Sequence, residues 1–360
     1  MKKNIIGGEY FHPPFIWMTK KKFSIEDYLK SKYPEKYYCF TGGGYYSLIK
    51  IIKDLELKDD EEVLLPSYLC SSMLIPFKTN NVCYKFYKID KKLTIDIDDL
   101  NSRINKHTKA ILFINYFGFP QKMEIVKYLK KIKKQGLILI EDCVHSFFSD
   151  FEIIGNYAFN SFRKFLPLDG SVILSDKKIE CKSPCKTNIK YLLLKSLGQF
   201  LRRLTVHYQL IDMSNTFLTL FRWADKEYYK KSNVKFCWLN KFLLTKYDIN
   251  QIADQRRNNY KKMLEQYADI TLFNRINKNI TPLGFPVLAK NRDVFRKKLI
   301  SENIFCPVHW ELPDEIDMVE FKESYYISRH IITLSISEKL TTSDLEYLKL
   351  NMEESYECIS

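Results

Sequence analysis

Leu137-Ile-Leu-Ile-Glu-Asp-Cys-Val-His145 reads as a buried strand that ends on two acids. A short apolar run without polar alternation matches a strand covered on both faces, as in a parallel sheet. Glu141 and Asp142 then stand at the carboxyl edge of that sheet, where open α/β folds bind ligands. A carboxylate there can hold a metal, a ribose hydroxyl or a protonated ring nitrogen. An acid that merely caps the following helix fits the same letters.

Outward from this strand, Val63 to Leu65, Val82 to Tyr87, Ala110 to Tyr116 and Ser171 to Leu174 repeat the buried-strand pattern. Between them, Tyr46 to Leu55 and Ile125 to Lys134 carry apolar residues at helical spacing. Such alternation predicts an α/β fold with a mainly parallel sheet. Residues 186–245 differ, being basic, Leu-rich and aromatic, and predict a helical insert. From about residue 250 a smaller α/β pattern follows: a helix through Gln266, a strand at Leu283 to Leu288, a helix at Arg292 to Glu302, strands at Cys306 to His309 and Ile331 to Ser335, and a helix at Ser343 to Glu353. The expected division is a large domain over 1–245 and a small one over 250–360.

Of 360 residues, 46% are apolar, enough for a sizeable core and against wholesale disorder. The net charge of +14 favours anionic partners. Its lysines lie in scattered groups (Lys20 to Lys22, Lys130 to Lys134, Lys230 and Lys231), which fits a solvated basic surface better than a nucleic-acid groove. Nine cysteines show no zinc-site spacing, even with Cys181 and Cys185 close together, so no metal is expected. The opening Met-Lys-Lys-Asn lacks the apolar stretch of a secretory signal, and reduced thiols in a cytoplasmic protein are expected. The segment Lys190 to Leu204 has an apolar and a basic face; packing on its own domain or a second subunit is favoured over an anionic membrane.

Two more stretches carry chemistry. Thr41-Gly-Gly-Gly-Tyr-Tyr-Ser-Leu48 runs glycines into an amphipathic helix, whose backbone amides and dipole can approach an anion; a plain tight turn also fits. Asn160-Ser-Phe-Arg-Lys-Phe-Leu-Pro-Leu-Asp-Gly170 puts Lys164 one element beyond Asp142. A lysine near an anion cradle and a buried carboxylate suggests Schiff-base chemistry on an aldehyde cofactor, although Arg163 and Lys164 alone would read as a surface pair.

The order of these stretches, glycine turn, then strand with Glu-Asp, then lysine, resembles the DegT/DnrJ family of pyridoxal-phosphate sugar aminotransferases, of fold type I. Glu61-Glu-Val-Leu-Leu-Pro-Ser67, Thr108-Lys-Ala-Ile-Leu-Phe-Ile-Asn-Tyr-Phe-Gly118, Gln255-Arg-Arg-Asn-Asn-Tyr260 and Ile304-Phe-Cys-Pro-Val-His-Trp310 are similar to further family stretches in the same order. The resemblance implies that Lys164 binds pyridoxal 5'-phosphate and moves protons, while Asp142 pairs with the pyridinium nitrogen. It implies a place near the ring hydroxyl for His145. Gly44, Tyr45 and Tyr46 would cradle the phosphate through their amides, with Ser161 as a hydroxyl donor. His309 and Trp310 would fall on the substrate side.

The sequence departs from the family pattern at several points. Cys70 stands where an aromatic residue usually stacks on the ring, Val144 replaces a small residue behind it, and Ser161 is three rather than five residues before Lys164. The usual Gly-Gly after the lysine is reduced to Asp169-Gly170-Ser171. The activity implied is transfer of an amino group from an amino acid, glutamate first among them, to a nucleotide-linked keto sugar, by a homodimer. The alternatives are an altered family member, acting as a scaffold or a sugar dehydratase on the same cofactor, and more remotely a basic nucleic-acid or membrane-surface protein.

Overall fold

The computed structural model describes residues 5–353 apart from 9, 11, 14, 180–186 and 209. The N-terminal segment carries a two-residue strand, β1 (Ile6–Gly7), and a helix, α1 (Ile25–Lys32), capped by the Ser24 hydroxyl. Seven strands then build one sheet: β2 (Tyr37–Thr41), β3 (Glu62–Pro66), β4 (Cys83–Tyr87), β5 (Thr108–Ile114), β6 (Ile138–Asp142), β7 (Tyr157–Phe159) and β8 (Ser171–Ser175). Helices α2 (Gly44–Asp54), α3 (Leu74–Thr79), α4 (Ile97–Arg103) and α5 (Met123–Lys134) lie between them.

The sheet order is β2-β8-β7-β6-β5-β3-β4. Strands β4, β3, β5, β6 and β7 run parallel, and β8 is antiparallel to both of its neighbours. Burial on both faces explains the continuous apolar runs: Ile111, Leu112, Leu139 and Ile140 are fully buried. The carboxyl ends of β5, β6 and β7 therefore share one edge, and the chain leaving β2 enters α2 at that same edge.

The insert forms α6 (Ile189–Arg202), which runs on into a π-helical turn over Arg203–His207, then α7 (Ser214–Tyr229) and α8 (Trp238–Leu244), with loops before α7 and α8 rather than helix throughout. Helix α6 packs on α7, where Gly198 lies under the Phe221 ring. The opposite face of α6 leaves Leu193 and Phe200 exposed. Helix α9 (Ile249–Tyr267) is capped by Asp248 and opens the C-terminal part. There β9 (Phe285–Leu288), α10 (Arg292–Ser301), β10 (Ile304–Phe305), α11 (Lys322–His330), β11 (Ile331–Leu334) and α12 (Thr342–Glu353) follow.

One expectation needs correction. Cys306 to His309 is not a strand: only Ile304–Phe305 pairs, and its partner is β1 from the N-terminus, in parallel. Residues 306–309 are loop, and Cys306 and His309 are spent on contacts to α10 and β11. The start of the chain, read as part of the large domain, is thus hydrogen-bonded into the C-terminal part. One buried core also runs through both, from Leu65 and Ile111 to Phe285 and Ile332.

Among the described residues, six cysteines are free thiols; Cys181, Cys185 and Cys358 lie outside them. No described group of His, Cys, Asp and Glu could hold a metal ion, and no described helix is long and apolar enough to cross a membrane.

Candidate active site

The shared edge holds a cavity of about 120 Å³ lined by, among others, Gly44, Cys70, Asp142, His145, Lys164 and Trp310. Strand alternation decides which acid of β6 faces it. Glu141 turns away, and its carboxylate accepts from Asn115 Nδ2 (2.8 Å) and from the amides of Ile154 (2.8 Å) and Gly155 (2.9 Å). Asp142 faces the cavity and accepts one bond, from the Val144 amide at 2.8 Å. Burial pushes the Asp142 pKa up to about 7, against the Val144 hydrogen bond and the positive charge of Lys164. A buried carboxylate with one donor has room for a protonated partner.

Lys164 ends a single 3-10 turn, Phe162–Lys164, that follows β7. Its amine makes no ion pair or hydrogen bond among the described residues. Burial and then the charge of Arg163 lower its pKa, enlarging the neutral, nucleophilic fraction. His145 is buried; its Nδ1 accepts from the Phe117 amide at 3.4 Å, and its ring stacks on Trp310 at 5.1 Å and 24°. Its Nε2 is buried without a partner. Burial holds its pKa well below 6.5, so the ring is neutral.

Trp310 reaches this layer from the C-terminal part because Tyr68, buried after β3, grips the loop. The Tyr68 hydroxyl donates to the His309 carbonyl and accepts the Trp310 amide at 2.9 Å. At the other end, α2 opens on Gly44 with no side-chain cap, so its first amides have no intrahelical acceptor. Gly43 must be glycine there, because a Cβ would lie 2.1 Å from the Tyr228 hydroxyl.

The expected residues come together with two exceptions. The Tyr46 side chain points away from the cavity: its hydroxyl donates to the Tyr228 carbonyl at 2.5 Å, leaving only its amide for an anion. The His309 ring stands behind the cavity wall, with Nδ1 bonded to Thr333 Oγ1 at 2.9 Å and its centroid 5.5 Å from that of His145. Cys70 lines the cavity, with its sulfur 3.1 Å from the Ser72 hydroxyl. Sequence reasoning missed Arg163, Tyr229, Ser72 and Met73 as lining residues. Arg163 carried a signal in its place beside Lys164; the others follow no local motif.

A single reactive amine, a buried carboxylate, an orphaned imidazole nitrogen and open helix amides around one cavity fit a phosphorylated aldehyde cofactor with a basic ring nitrogen. The fold is that of the fold type I pyridoxal-phosphate enzymes. It matches Spr1654 of Streptococcus pneumoniae, described as a sugar aminotransferase, with a TM-score of 0.71 at 14% identity over 99% of this chain and 92% of that one. Residues 23–165 match the model of the DegT/DnrJ/EryC1/StrS aminotransferase family.

Curated relatives are similar over shorter lengths. A GDP-4-keto-6-deoxy-D-mannose 3-dehydratase of Yersinia pseudotuberculosis is 33% identical over 91 residues, covering 25% of this chain and 23% of that protein. A GDP-perosamine synthase of Escherichia coli O157:H7 is 24% identical over 141 residues, covering 38% of each chain. The chain spans less than half the length of the curated relatives it matches.

Proposed function

We propose that the protein binds pyridoxal 5'-phosphate through Lys164 and transfers an amino group from an amino acid, glutamate first, to a keto group on a nucleotide-linked sugar. The observation that carries this reading is Lys164 and Asp142 facing one cavity beside the open amino end of α2. When bound, the cofactor supplies an electron sink for the donor's α-carbon.

This chain's residues do the rest. Lys164 Nζ would hold the cofactor's aldehyde carbon, and as a free amine it would take the proton from the donor carbon and return it to the acceptor side. The Asp142 carboxylate would pair with the cofactor's ring nitrogen and hold a proton on it. The stacked His145 and Trp310 rings close one side of the cavity, and the unpartnered His145 Nε2 would meet the cofactor's ring hydroxyl. We also propose that the enzyme works in the cytoplasm as a homodimer, with surface sugars as the destination of its product.

Sodium borohydride reduction followed by peptide mapping tests the attachment: the adduct should fall on Lys164. Its absence in excess cofactor, or its presence on another lysine, refutes the reading. A glutamate-dependent change of the bound cofactor's absorption tests the reaction. The GDP-4-keto-6-deoxy-D-mannose 3-dehydratase relatives support a second reading, removal of a sugar hydroxyl on the same cofactor. Mass analysis separates the two, because an aminated product retains donor nitrogen and a dehydrated one does not.

A further inference from the structure

The N-terminal segment and the end of α8 meet on a surface that no part of the scheme above uses. The Thr245 carbonyl accepts the amides of Lys22 (2.8 Å) and Phe23 (3.1 Å), and Lys246 Nζ donates to the Thr19 carbonyl at 2.6 Å. Both segments are anchored from beneath, because Ile16, Leu243, Leu244 and Tyr247 are buried in one core cluster. His12 Nδ1 and the Tyr247 hydroxyl, 2.8 Å apart, add a further tie. The surface is therefore set by the fold.

This anchoring leaves large apolar side chains outside. On a single 3-10 turn, Ile16–Met18, Trp17 is 57% and Met18 75% exposed, and Phe15 meets Trp17 edge-on with ring centroids 5.6 Å apart. On α8, Trp238 is 76% exposed, and Phe242, four residues on and so on the same helix face, is exposed too. Lys246 Nζ lies 4.7 Å from the centroid of the Phe242 ring while it holds Thr19, which joins the two groups. Directly after the turn come Lys20, Lys21 and Lys22, all exposed and without an ion pair among the described residues. Of the acids in the flanking stretches, Glu26 is paired with Lys241 and Asp248 is spent capping α9, which leaves Asp27 against the three lysines.

Exposed tryptophans beside unpaired lysines match a partner that is anionic at its surface and apolar beneath. A second copy docked on this face about a two-fold axis would bring two sets of unpaired lysines together. A nucleic acid would engage the lysines but offer Met18 and the exposed Leu239 no apolar partner. We propose that Phe15 to Met18, Lys20 to Lys22 and α8 form a docking surface for an anionic lipid bilayer, which holds the enzyme at a membrane as a peripheral protein. The seven residues of α8 span about 10 Å, against a hydrocarbon core of about 30 Å, so the contact stays within the interfacial layer. The lysines supply the attraction and the tryptophans the insertion. Nothing in this inference depends on the cofactor reading.

The test is cosedimentation of the full chain with vesicles of phosphatidylcholine alone, and of phosphatidylcholine and phosphatidylglycerol in equal parts. Wild type should bind the anionic vesicles, with a blue shift of tryptophan emission, and release them as salt rises. K20Q/K21Q/K22Q should bind about a hundredfold more weakly. W17S/W238S should bind at least about tenfold more weakly. All five positions are exposed, so unfolding midpoints should match wild type. No binding of wild type to the anionic vesicles, or equal binding to the neutral ones, overturns the proposal without any variant. Unchanged binding in either folded variant overturns it too. Sedimentation velocity adds a last outcome: if W17S/W238S turns a wild-type dimer into monomers, a second copy covers this face and the lipid surface does not.

Discussion

Replacing Asp142 by Asn separates what this carboxylate costs the fold from what it does for a ligand. The side chain is 4% exposed, and burial raises its pKa from 3.8 to about 7. The folded protein therefore keeps a proton where the unfolded chain has lost it, so stability falls as pH rises from about 4 to about 7. A rise of that size corresponds to about 4 kcal/mol at most, of which roughly 2–3 kcal/mol develops between pH 5 and pH 8.5. Asn keeps an oxygen for the Val144 amide and carries no charge. Urea unfolding of the cofactor-free protein should show D142N gaining on wild type by roughly 2–3 kcal/mol between those pH values. Tyr116, Cys143 and Lys164 also feel the Asp142 charge, but the first two are held neutral by burial. Lys164 is the one cationic neighbour the substitution strips of an anion. The same variant should bind pyridoxal phosphate at least about tenfold more weakly, since it loses a charged partner for the ring nitrogen. A stability gap that does not grow with pH refutes the burial argument. Undiminished cofactor affinity refutes the assigned role.

Other substitutions probe the supports of the site. Y68F removes the hydroxyl that grips His309 and Trp310, leaving a carbonyl and an amide unpaired, and should cost about 1–3 kcal/mol with a shift in Trp310 fluorescence. G118A puts a Cβ 2.3 Å from the Thr281 carbonyl at a backbone φ of +100°, and should cost about 2–4 kcal/mol in denaturant unfolding. E141A strips the buried partner from Asn115 and the Ile154 and Gly155 amides, and should cost about 3 kcal/mol while E141Q costs less. Equal losses in E141A and E141Q would mean that charge, not hydrogen bonding, is what Glu141 supplies.

The sequence by itself determined the parallel sheet, the place of Asp142 at its carboxyl edge and the order glycine turn, acid, lysine. These features are local: strand burial on both faces leaves an unbroken apolar run, and a helix start leaves its glycines. Which of Glu141 and Asp142 faces the cavity was not legible, because it depends on what covers each face of the sheet. Only the tertiary structure decided the rest. Trp310 joins His145 because Tyr68, more than two hundred residues earlier, grips its loop, and no spacing along the chain encodes that contact. Ile6 and Gly7 pair with Ile304 and Phe305 because a two-residue strand is specified by its partner, not by its own letters. Tyr228 reaches the α2 terminus from a helix whose periodicity reads as ordinary packing. Arg163 looks like a surface residue in sequence and stays exposed, and only the tertiary structure brings it to the rim of the cavity with its guanidinium over the Tyr228 ring.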